Sequence, residues 1–152
     1  DVARLKEWRA VLDETFRTNL ALGKPASASH TRGKTYAARR CTDGNPDTYW
    51  ATADGTSQAT VTIDLGKPTA FDRILLAEPI ARGQRIREFT VEARVNSQWQ
   101  SIAKGTTVGY KRILRIKPIT ATQIRVTAAT GGAPLLLSEI SLYKAAALDD
   151  GL

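Results

Sequence analysis

Short segments in which apolar and polar residues alternate fill the chain from residue 59 onward, and they restrict its possible folds more than any other feature. The first segment, 59–66, places Val61, Ile63 and Leu65 on one face and polar residues on the other. Six further segments of similar length follow: 71–79, 88–95, 98–105, 110–118, 122–129 and 136–144. Turn-forming sequences such as GKP, NSQ, KPIT and TGGAP separate them. This spacing predicts an antiparallel β-sandwich or barrel rather than a parallel nucleotide-binding sheet.

Residues 1–20 have a different period and predict an amphipathic helix. Apolar side chains recur at steps of three and four residues, at Val2, Leu5, Trp8, Leu12 and Phe16. This spacing places them on one face of a helix. We expect that face to be buried against the following domain or against a neighbouring domain of a longer protein.

Composition narrows the functional classes. The chain has 152 residues, which suits one domain, and no apolar run approaches the roughly 18 residues of a membrane span. It contains no Met, so we expect a fragment of a longer protein. Cys41 and His30 are its only cysteine and histidine, which leaves no internal disulfide and little basis for a nucleophile–base pair. The net charge is +7, and the Arg and Lys side chains that cause it are dispersed singly along the strands. This distribution favours a solvated face over nucleic-acid binding.

The stretch CTDGNPDTYW, residues 41–50, allows two interpretations. Asp43, Asn45 and Asp47 place side-chain oxygens at alternate positions, as a calcium ion requires, but the same residues build ordinary turns. A helix–loop–helix calcium loop is excluded, because its sixth position would be Thr48 instead of Gly and its twelfth Asp54 instead of Glu.

The order of several motifs resembles a known family. NLALGKPASAS, the Asp-Gly turn before Tyr-Trp, VTIDLGKP, FDRILL, REFTVEARVNSQWQSI and LLLSEISLY follow one another over residues 19–144. This order resembles the discoidin or coagulation factor 5/8 type C domain, whose bacterial form is the family 32 carbohydrate-binding module. The helix and the segments 76–93 and 106–116 are similar to the C-terminal region of family 29 glycoside hydrolases, the α-L-fucosidases.

The resemblance implies an all-β antiparallel jelly-roll β-sandwich (discoidin-like, galactose-binding-domain-like) preceded by one N-terminal α-helix. It divides the chain into a linker helix from an absent catalytic domain (1–20), the sandwich (21–144) and a disordered tail (145–152). The implied function is non-catalytic carbohydrate binding within a bacterial glycoside hydrolase that is periplasmic or secreted. The expected partners are terminal galactose- or fucose-type sugars and the parent catalytic domain, with neither nucleic acid nor membrane.

The resemblance also implies one structural calcium beside the Asp-Gly turn. Its expected ligands come from the turn and from the last strand: Arg40, Asp43, Asn45, Thr48, Ser138 and Glu139. Arg40, Asn45 and Ser138 would contribute backbone carbonyls. An ion between two distant acid-bearing segments would offset their repulsion and hold the loop to the last strand.

Sugar sites in this family lie on loops at one end of the sandwich. The expected contacts are His30, Arg32 and Tyr36 from one loop, Glu78, Arg82 and Arg85 from a second, and Tyr110 from a third. For Glu78 and the arginines the alternative interpretation is an internal ion pair that holds the loop. Thr52 and Asp54 could shape the site, whereas Trp50 is expected in the core and Trp99 is expected to serve packing.

Three other functions are weighed against sugar binding. The domain could pack on the catalytic domain without binding sugar. It could also be a membrane or protein adhesion module, although its loops look too polar to insert in lipid. An independent glycosidase would need two carboxyls about 5–10 Å apart. Asp54 and Glu78 are the pair considered for that role.

Overall fold

Antiparallel strands that follow one α-helix make up most of the computed structural model, which describes residues 2–145 except the side chains of Leu12 and Asp13. Three short 3₁₀ turns, Lys34–Tyr36, Ala38–Cys41 and Ile80–Arg82, lie in the loops. The elements are α1 (Val2–Thr15), β1 (Ala26–Ala28), β2 (Trp50–Ala51), β3 (Gln58–Ala77), β4 (Ile86–Val95), β5 (Gln98–Gly105), β6 (Arg112–Thr130), β7 (Leu136–Leu137) and β8 (Glu139–Tyr143). In this part of the chain no helix is long and apolar enough to cross a membrane.

The strands pair in the order β1-β3-β6-β4-β5, and β8 joins the second half of β3. On one edge of β3, β1 pairs with residues 61–63 and β8 pairs with residues 73–77. The short strands β2 and β7 form a separate pair, Trp50 with Leu137 and Ala51 with Leu136. All these pairings are antiparallel, which confirms the predicted jelly-roll β-sandwich with an N-terminal helix.

Two predicted turns are bulges inside long strands. The segments 59–66 and 71–79 form one strand, β3, and the segments 110–118 and 122–129 form another, β6. The pairing register of β3 with β6 shifts between Asp64 and Thr69 and again between Phe71 and Arg73. Gly66, with φ of 80°, supplies the backbone conformation that the first bulge needs. Pro118 lies in the second and has no N–H to donate to the ladder. The expectation of separate strands here was wrong.

The main core lies between the two halves of these bent strands. Ile63, Phe71, Ile124, Ile140 and Trp50 are among its fully buried side chains. Burial of a large apolar side chain contributes about 1.5–3 kcal/mol relative to exposure. The expectation that Trp50 packs in the core is confirmed.

The helix ends at Thr15, five residues before the predicted end. Asn19 explains the early end, because its side-chain Oδ1 accepts the backbone N–H groups of Ala21 (3.0 Å) and Leu142 (3.1 Å). The backbone N–H of Leu20 also donates to the carbonyl of Leu142 at 2.8 Å. These bonds tie Asn19 and the turn at residues 20–23 to β8, a path that a continuing helix could not follow.

Among the described side chains on the predicted apolar face of the helix, Phe16 is covered. Phe16 packs edge-on against Tyr143, with ring centroids 4.9 Å apart, over Leu75 and Ala77 on the outer face of β3 and β8. Val2, Leu5 and Trp8 remain exposed. The following domain therefore does not bury the first half of the stripe, contrary to one of the two expectations.

Trp99 packs on the outer face of the sheet, as expected. The guanidinium of Arg125 lies 4.1 Å from its ring centroid and also forms a two-pronged ion pair with Glu92. Asn96 and Ser97, both with positive φ, form the two-residue turn between β4 and β5. The expected disordered tail, 145–152, lies outside the described residues apart from Ala145.

Candidate functional site

Loops from distant parts of the chain enclose a surface pocket of about 360 Å³. This volume lies in the range of small-ligand sites. Its lining residues are Arg32, Tyr36, Tyr49, Ala51, Asp54, Arg82, Arg85, Pro134 and Leu136. The first and second loops predicted from the sequence thus meet at one pocket, together with the residues around β2 and β7.

The first loop is attached to β2 through its backbone. The indole N–H of buried Trp50 donates to the carbonyl of His30 at 2.9 Å. The backbone N–H of Arg32 donates to the carbonyl of Ala51 at 2.7 Å, and its side-chain Nε donates to the carbonyl of Thr52 at 3.0 Å. The Arg32 guanidinium is therefore held in place before any ligand arrives.

The second loop is held by Glu78 from inside. This carboxylate is only 2% exposed and accepts the backbone N–H groups of Arg85 (2.7 Å), Ile86 (2.9 Å) and Gly109 (2.7 Å). Its oxygens are directed at the loop backbone and Glu78 does not line the pocket. The expected sugar contact from Glu78 is therefore corrected to a positioning role. The open alternative of an internal ion pair is also corrected, because the partners are backbone amides.

Two tyrosines provide an aromatic surface in the pocket, of which the sequence analysis predicted Tyr36 and missed Tyr49. Tyr36 and Tyr49 have ring centroids 5.3 Å apart at 35°, and both are partly exposed in the pocket. Tyr49 directly precedes the buried Trp50. Side chains of adjacent residues in an extended segment point to opposite sides. A buried Trp50 was therefore a signal that Tyr49 faces outward.

The pocket carries an excess of positive charge. Arg32 Nη2 lies 2.5 Å from Oδ1 of Asp54, whose side chain is 89% exposed. Arg82 and Arg85 also line the pocket, and within residues 2–145 neither has a carboxylate within ion-pair distance. The Arg85 guanidinium donates weakly from Nη1 to the Pro134 carbonyl at 3.5 Å.

Two other predicted contacts lie outside the lining. The exposed His30 bonds through Nδ1 to the hydroxyl of Ser29 at 3.0 Å. Tyr110 is 66% exposed and follows Gly109, which Glu78 joins to the second loop. Ile80, in the same loop as Arg82, is 72% exposed. The loops are therefore less uniformly polar than the sequence indicated.

The carboxyl pair considered for glycosidase chemistry is not available. Asp54 is engaged by Arg32, and Glu78 is buried among backbone amides. Neither arrangement leaves a carboxylic acid and a carboxylate facing each other across a cleft.

The Asp-Gly turn brings together several of the oxygens expected to bind calcium. The Thr48 hydroxyl lies 2.5 Å from Oδ2 of Asp43 and 3.2 Å from the carbonyl of Asn45. The Asn45 side chain instead accepts the backbone N–H of Asp47. Arg40 Nη1 lies 4.0 Å from Asp43 Oδ2, and the buried Arg40 Nε has no hydrogen-bond partner among residues 2–145.

The last strand begins close to this turn. The buried Cys41 thiol donates to the carbonyl of Leu137 at 3.5 Å, which is one residue before Ser138 and two before Glu139. Ser138 uses its hydroxyl and N–H on the carbonyl of Ala77, and Glu139 accepts a hydrogen bond from the hydroxyl of Ser141. The described residues contain no cluster of three or more His, Cys, Asp or Glu side chains placed for a metal. The predicted ligand set needs only two carboxylates, because its other donors are uncharged oxygens.

Cys41 has no reactive role in this arrangement. Its thiol is buried, and this burial raises the pKa far above its ordinary value. A thiol that stays protonated is a weak nucleophile and a poor metal ligand.

Two further depressions lie on the sheet surfaces of the described residues. One, of about 490 Å³, surrounds Phe89 and Lys104, and the other, of about 530 Å³, follows the Glu92–Arg125 pair and neighbouring hydroxyls. Both are faces of regular strands, and neither gathers residues from several loops. The loop pocket is the stronger candidate for recognition of a small ligand.

Comparison with known proteins agrees with this geometry. The F5/8 type C domain family matches residues 25–140. The chain belongs to this family. The Ruminococcus gnavus GH29 fucosidase E1_10125, solved in complex with fucose, is 39% identical with a TM-score of 0.88, and the match covers 95% of this chain and 30% of that one. A putative alpha-L-fucosidase 1 from Oryza sativa subsp. japonica is 31% identical over 147 residues, which is 94% of this chain and 28% of the relative.

A separate binding module shares the fold. Chitosan-binding module 1 of a Paenibacillus sp. IK-5 chitosanase/glucanase is 26% identical with a TM-score of 0.75, and the match covers 83% of this chain and 98% of that one. The chain spans less than a third of the length of the fucosidases it matches. It is thus a non-catalytic, carbohydrate-binding-type domain of the kind associated with fucosidases.

Proposed function

We propose that this F5/8 type C domain binds a terminal galactose- or fucose-type sugar in the loop pocket, as an accessory module of an α-L-fucosidase. The observation that supports this proposal most is the convergence of Arg32, Tyr36, Tyr49 and Asp54 on one pocket. Guanidinium and carboxylate groups bind sugar hydroxyls through charge-assisted hydrogen bonds, and an aromatic ring packs on the apolar side of a sugar.

The experiment is a titration of the isolated domain with methyl galactoside and with fucose, followed by calorimetry or NMR shifts. We expect weak, saturable binding, and Tyr49→Ala should weaken it about tenfold, since the variant removes an aromatic contact of order 1.4 kcal/mol. His30→Ala is the matched control because His30 lies outside the lining. A folded domain that binds neither sugar would contradict the proposal.

We further propose that one calcium ion occupies the Asp43 turn. Asp43, Thr48 and the Asn45 carbonyl would hold it there, with Glu139 and the carbonyls of Arg40 and Ser138 completing the set. Bound calcium would supply a positive charge between the turn and the start of β8, and the residues themselves would connect the loop to that strand. In a secreted or periplasmic protein, sites of the 10⁻⁴–10⁻³ M class suffice, at roughly the affinity of extracellular modules.

A second candidate function is docking on the catalytic part of a fucosidase without any sugar binding. The exposed apolar residues Val2, Leu5 and Trp8 on α1 favour it, because a helix seldom leaves such a stripe in water. The test is the fluorescence of Trp8 when the domain is mixed with the part of the Ruminococcus gnavus enzyme that lies outside the matched region. A blue shift that is lost in Leu5→Ser would support docking, and an unchanged spectrum would contradict it.

A further inference from the structure

We infer that the loop pocket selects sugars that carry an anionic substituent, a carboxylate or a sulfate ester. This inference rests on the proposed sugar-binding function and specifies its ligand class. It starts from the charges that the fold gathers at the pocket, which are three arginines and one aspartate.

The aspartate compensates only one of these arginines. Asp54 pairs with Arg32, while Arg82 and Arg85 have no carboxylate within ion-pair distance among residues 2–145. Two uncompensated cations in one concave site create a positive potential that attracts anions and repels cations. A neutral sugar uses this potential poorly, whereas a carboxylate or sulfate accepts paired hydrogen bonds from a guanidinium.

The backbone under these arginines is held in place. Glu78 accepts the backbone N–H of Arg85, and the Ile80–Arg82 turn is closed by the bond from Arg82 N–H to the Pro79 carbonyl at 3.0 Å. Arg32 is fixed by the Thr52 carbonyl and by Asp54. A site whose loop backbone and Arg32 guanidinium are already positioned loses less conformational freedom on binding.

The arrangement also predicts what the pocket rejects. Glucosamine oligomers carry ammonium groups at neutral pH, and a pocket with two unpaired arginines would repel them. The specificity would thus come from repulsion of cationic sugars as well as attraction of anionic ones.

The test uses four ligands that differ in charge: methyl galactoside, galacturonic acid, galactose 3-sulfate and chitotriose. Binding of each is measured by calorimetry at low salt and again at high salt. We expect at least one anionic sugar to bind about tenfold more tightly than the neutral galactoside, as a hydrogen bond to a charged group implies. Added salt should reduce this preference, because the arginines are at the surface. The separate carboxylate and sulfate arms identify which anion the pocket takes.

Two variants and one control locate the effect. Arg82→Gln and Arg85→Gln should each abolish most of the preference for the anionic sugar, measured as the ratio of its affinity to the affinity of the neutral galactoside in the same variant. Lys117→Gln removes one positive charge from an exposed position in the bulge of β6, outside the pocket lining, and should change nothing. Thermal melts of all variants verify that they are folded.

The outcomes separate this inference from the function on which it rests. Equal affinity for galactoside and for both anionic sugars, or a preference that survives in both arginine variants, would overturn the anionic selectivity while sugar binding stands. Chitotriose binding as tightly as the anionic sugars would overturn it too. A folded protein that binds none of the four ligands would overturn both proposals.

Discussion

Glu78 and Asp43 each organise a loop of this domain, but their negative charges are balanced in different ways. Glu78 is buried and receives three backbone N–H donors at 2.7–2.9 Å. Asp43 lies in an exposed turn, accepts the N–H of Asn45 and the hydroxyl of Thr48, and has its nearest guanidinium nitrogen at 4.0 Å. The first carboxylate is satisfied by the protein itself, while the second faces other oxygens and would gain from a cation. Equal side-chain chemistry therefore serves a structural role in one loop and a proposed metal-binding role in the other.

Loss of Glu78 should have the largest effect. Glu78→Ala leaves three backbone donors without an acceptor, and since each hydrogen bond to a charged group contributes about 1.5–3 kcal/mol, we expect the free energy of unfolding to fall by at least about 3 kcal/mol. Urea unfolding measures this change. Glu88→Ala, which truncates an exposed acid of the neighbouring β4, is the control and should cost less than about 0.5 kcal/mol. A loss below 1 kcal/mol in Glu78→Ala, on the scale of an ordinary surface change, would remove the distinction between the two loops.

Calcium should stabilise the Asp43 turn and should not change the stability of the Glu78 loop. At a calcium concentration about 100 times its Kd, the free energy of unfolding should rise by about 2.7 kcal/mol. The melting temperature with calcium and with EDTA measures the effect. Asp43→Asn should abolish the difference, whereas Asp47→Asn, in the same turn, should keep it. Identical melting temperatures of the unmodified domain in the two buffers would contradict the calcium proposal.

The next largest effect is expected at Tyr143, a buried phenol close to the Glu139 carboxylate. Burial raises the pKa of Tyr143, and the nearby Glu139 carboxylate raises it further, against the hydrogen bond with Ser141. The folded protein thus holds the phenol proton more tightly than the unfolded chain does. Stability from this group is present below pH about 10 and is lost as the pH rises through the higher pKa of the folded state.

We expect alkaline unfolding profiles to show this loss, and Tyr143→Phe, which keeps the ring contact with Phe16, to reduce it. Tyr110→Phe is the matched control at an exposed tyrosine. If the free energy of unfolding falls with rising alkaline pH equally steeply in Tyr143→Phe and in the unmodified domain, the buried phenol does not cause the loss.

The smallest effect is expected at Glu92, whose charge is balanced by a half-exposed arginine. The hydrogen bonds from Arg125 lower the pKa of Glu92. Its contribution is therefore present above the unfolded pKa of about 4.3 and is lost as the pH falls through the lower folded value. Glu92→Gln should cost no more than about 1 kcal/mol at neutral pH, as is usual for such pairs. A double-mutant cycle with Arg125→Gln measures the pair, and a coupling as large as the Glu78 effect would contradict this ranking.

The strands could be predicted because alternation is a local signal. The segments 88–95 and 98–105 agree closely with β4 and β5. Alternate residues of β4 are buried, and a two-residue turn joins it to the partly exposed β5. The alternation of apolar and polar residues did not show whether Gly66 and Pro118 lie in turns between strands or in bulges within one strand. Both features contain Gly or Pro, and only the partner strand decides whether the chain reverses direction or continues.

The pocket was predicted only in part. Arg32, Tyr36, Arg82 and Arg85 were expected at the site and line one pocket, although their contact with sugar is still a prediction. Tyr49 was missed beside the conspicuous Trp50. Glu78 was misassigned because a sequence does not show whether a loop carboxylate faces solvent or its own backbone.

The sequence by itself determined the class of fold, the helix at the start and the residues able to form a core, because these follow from periods of 2 and 3.6 residues within single segments. The tertiary structure decided which loops meet, which carboxylate is buried and which arginines share a pocket. Those outcomes depend on contacts between residues 20 to 100 positions apart, such as Arg32 with Thr52 and Cys41 with Leu137. Such contacts arise only when the sheets have packed, since no local pattern specifies the distance between two loops.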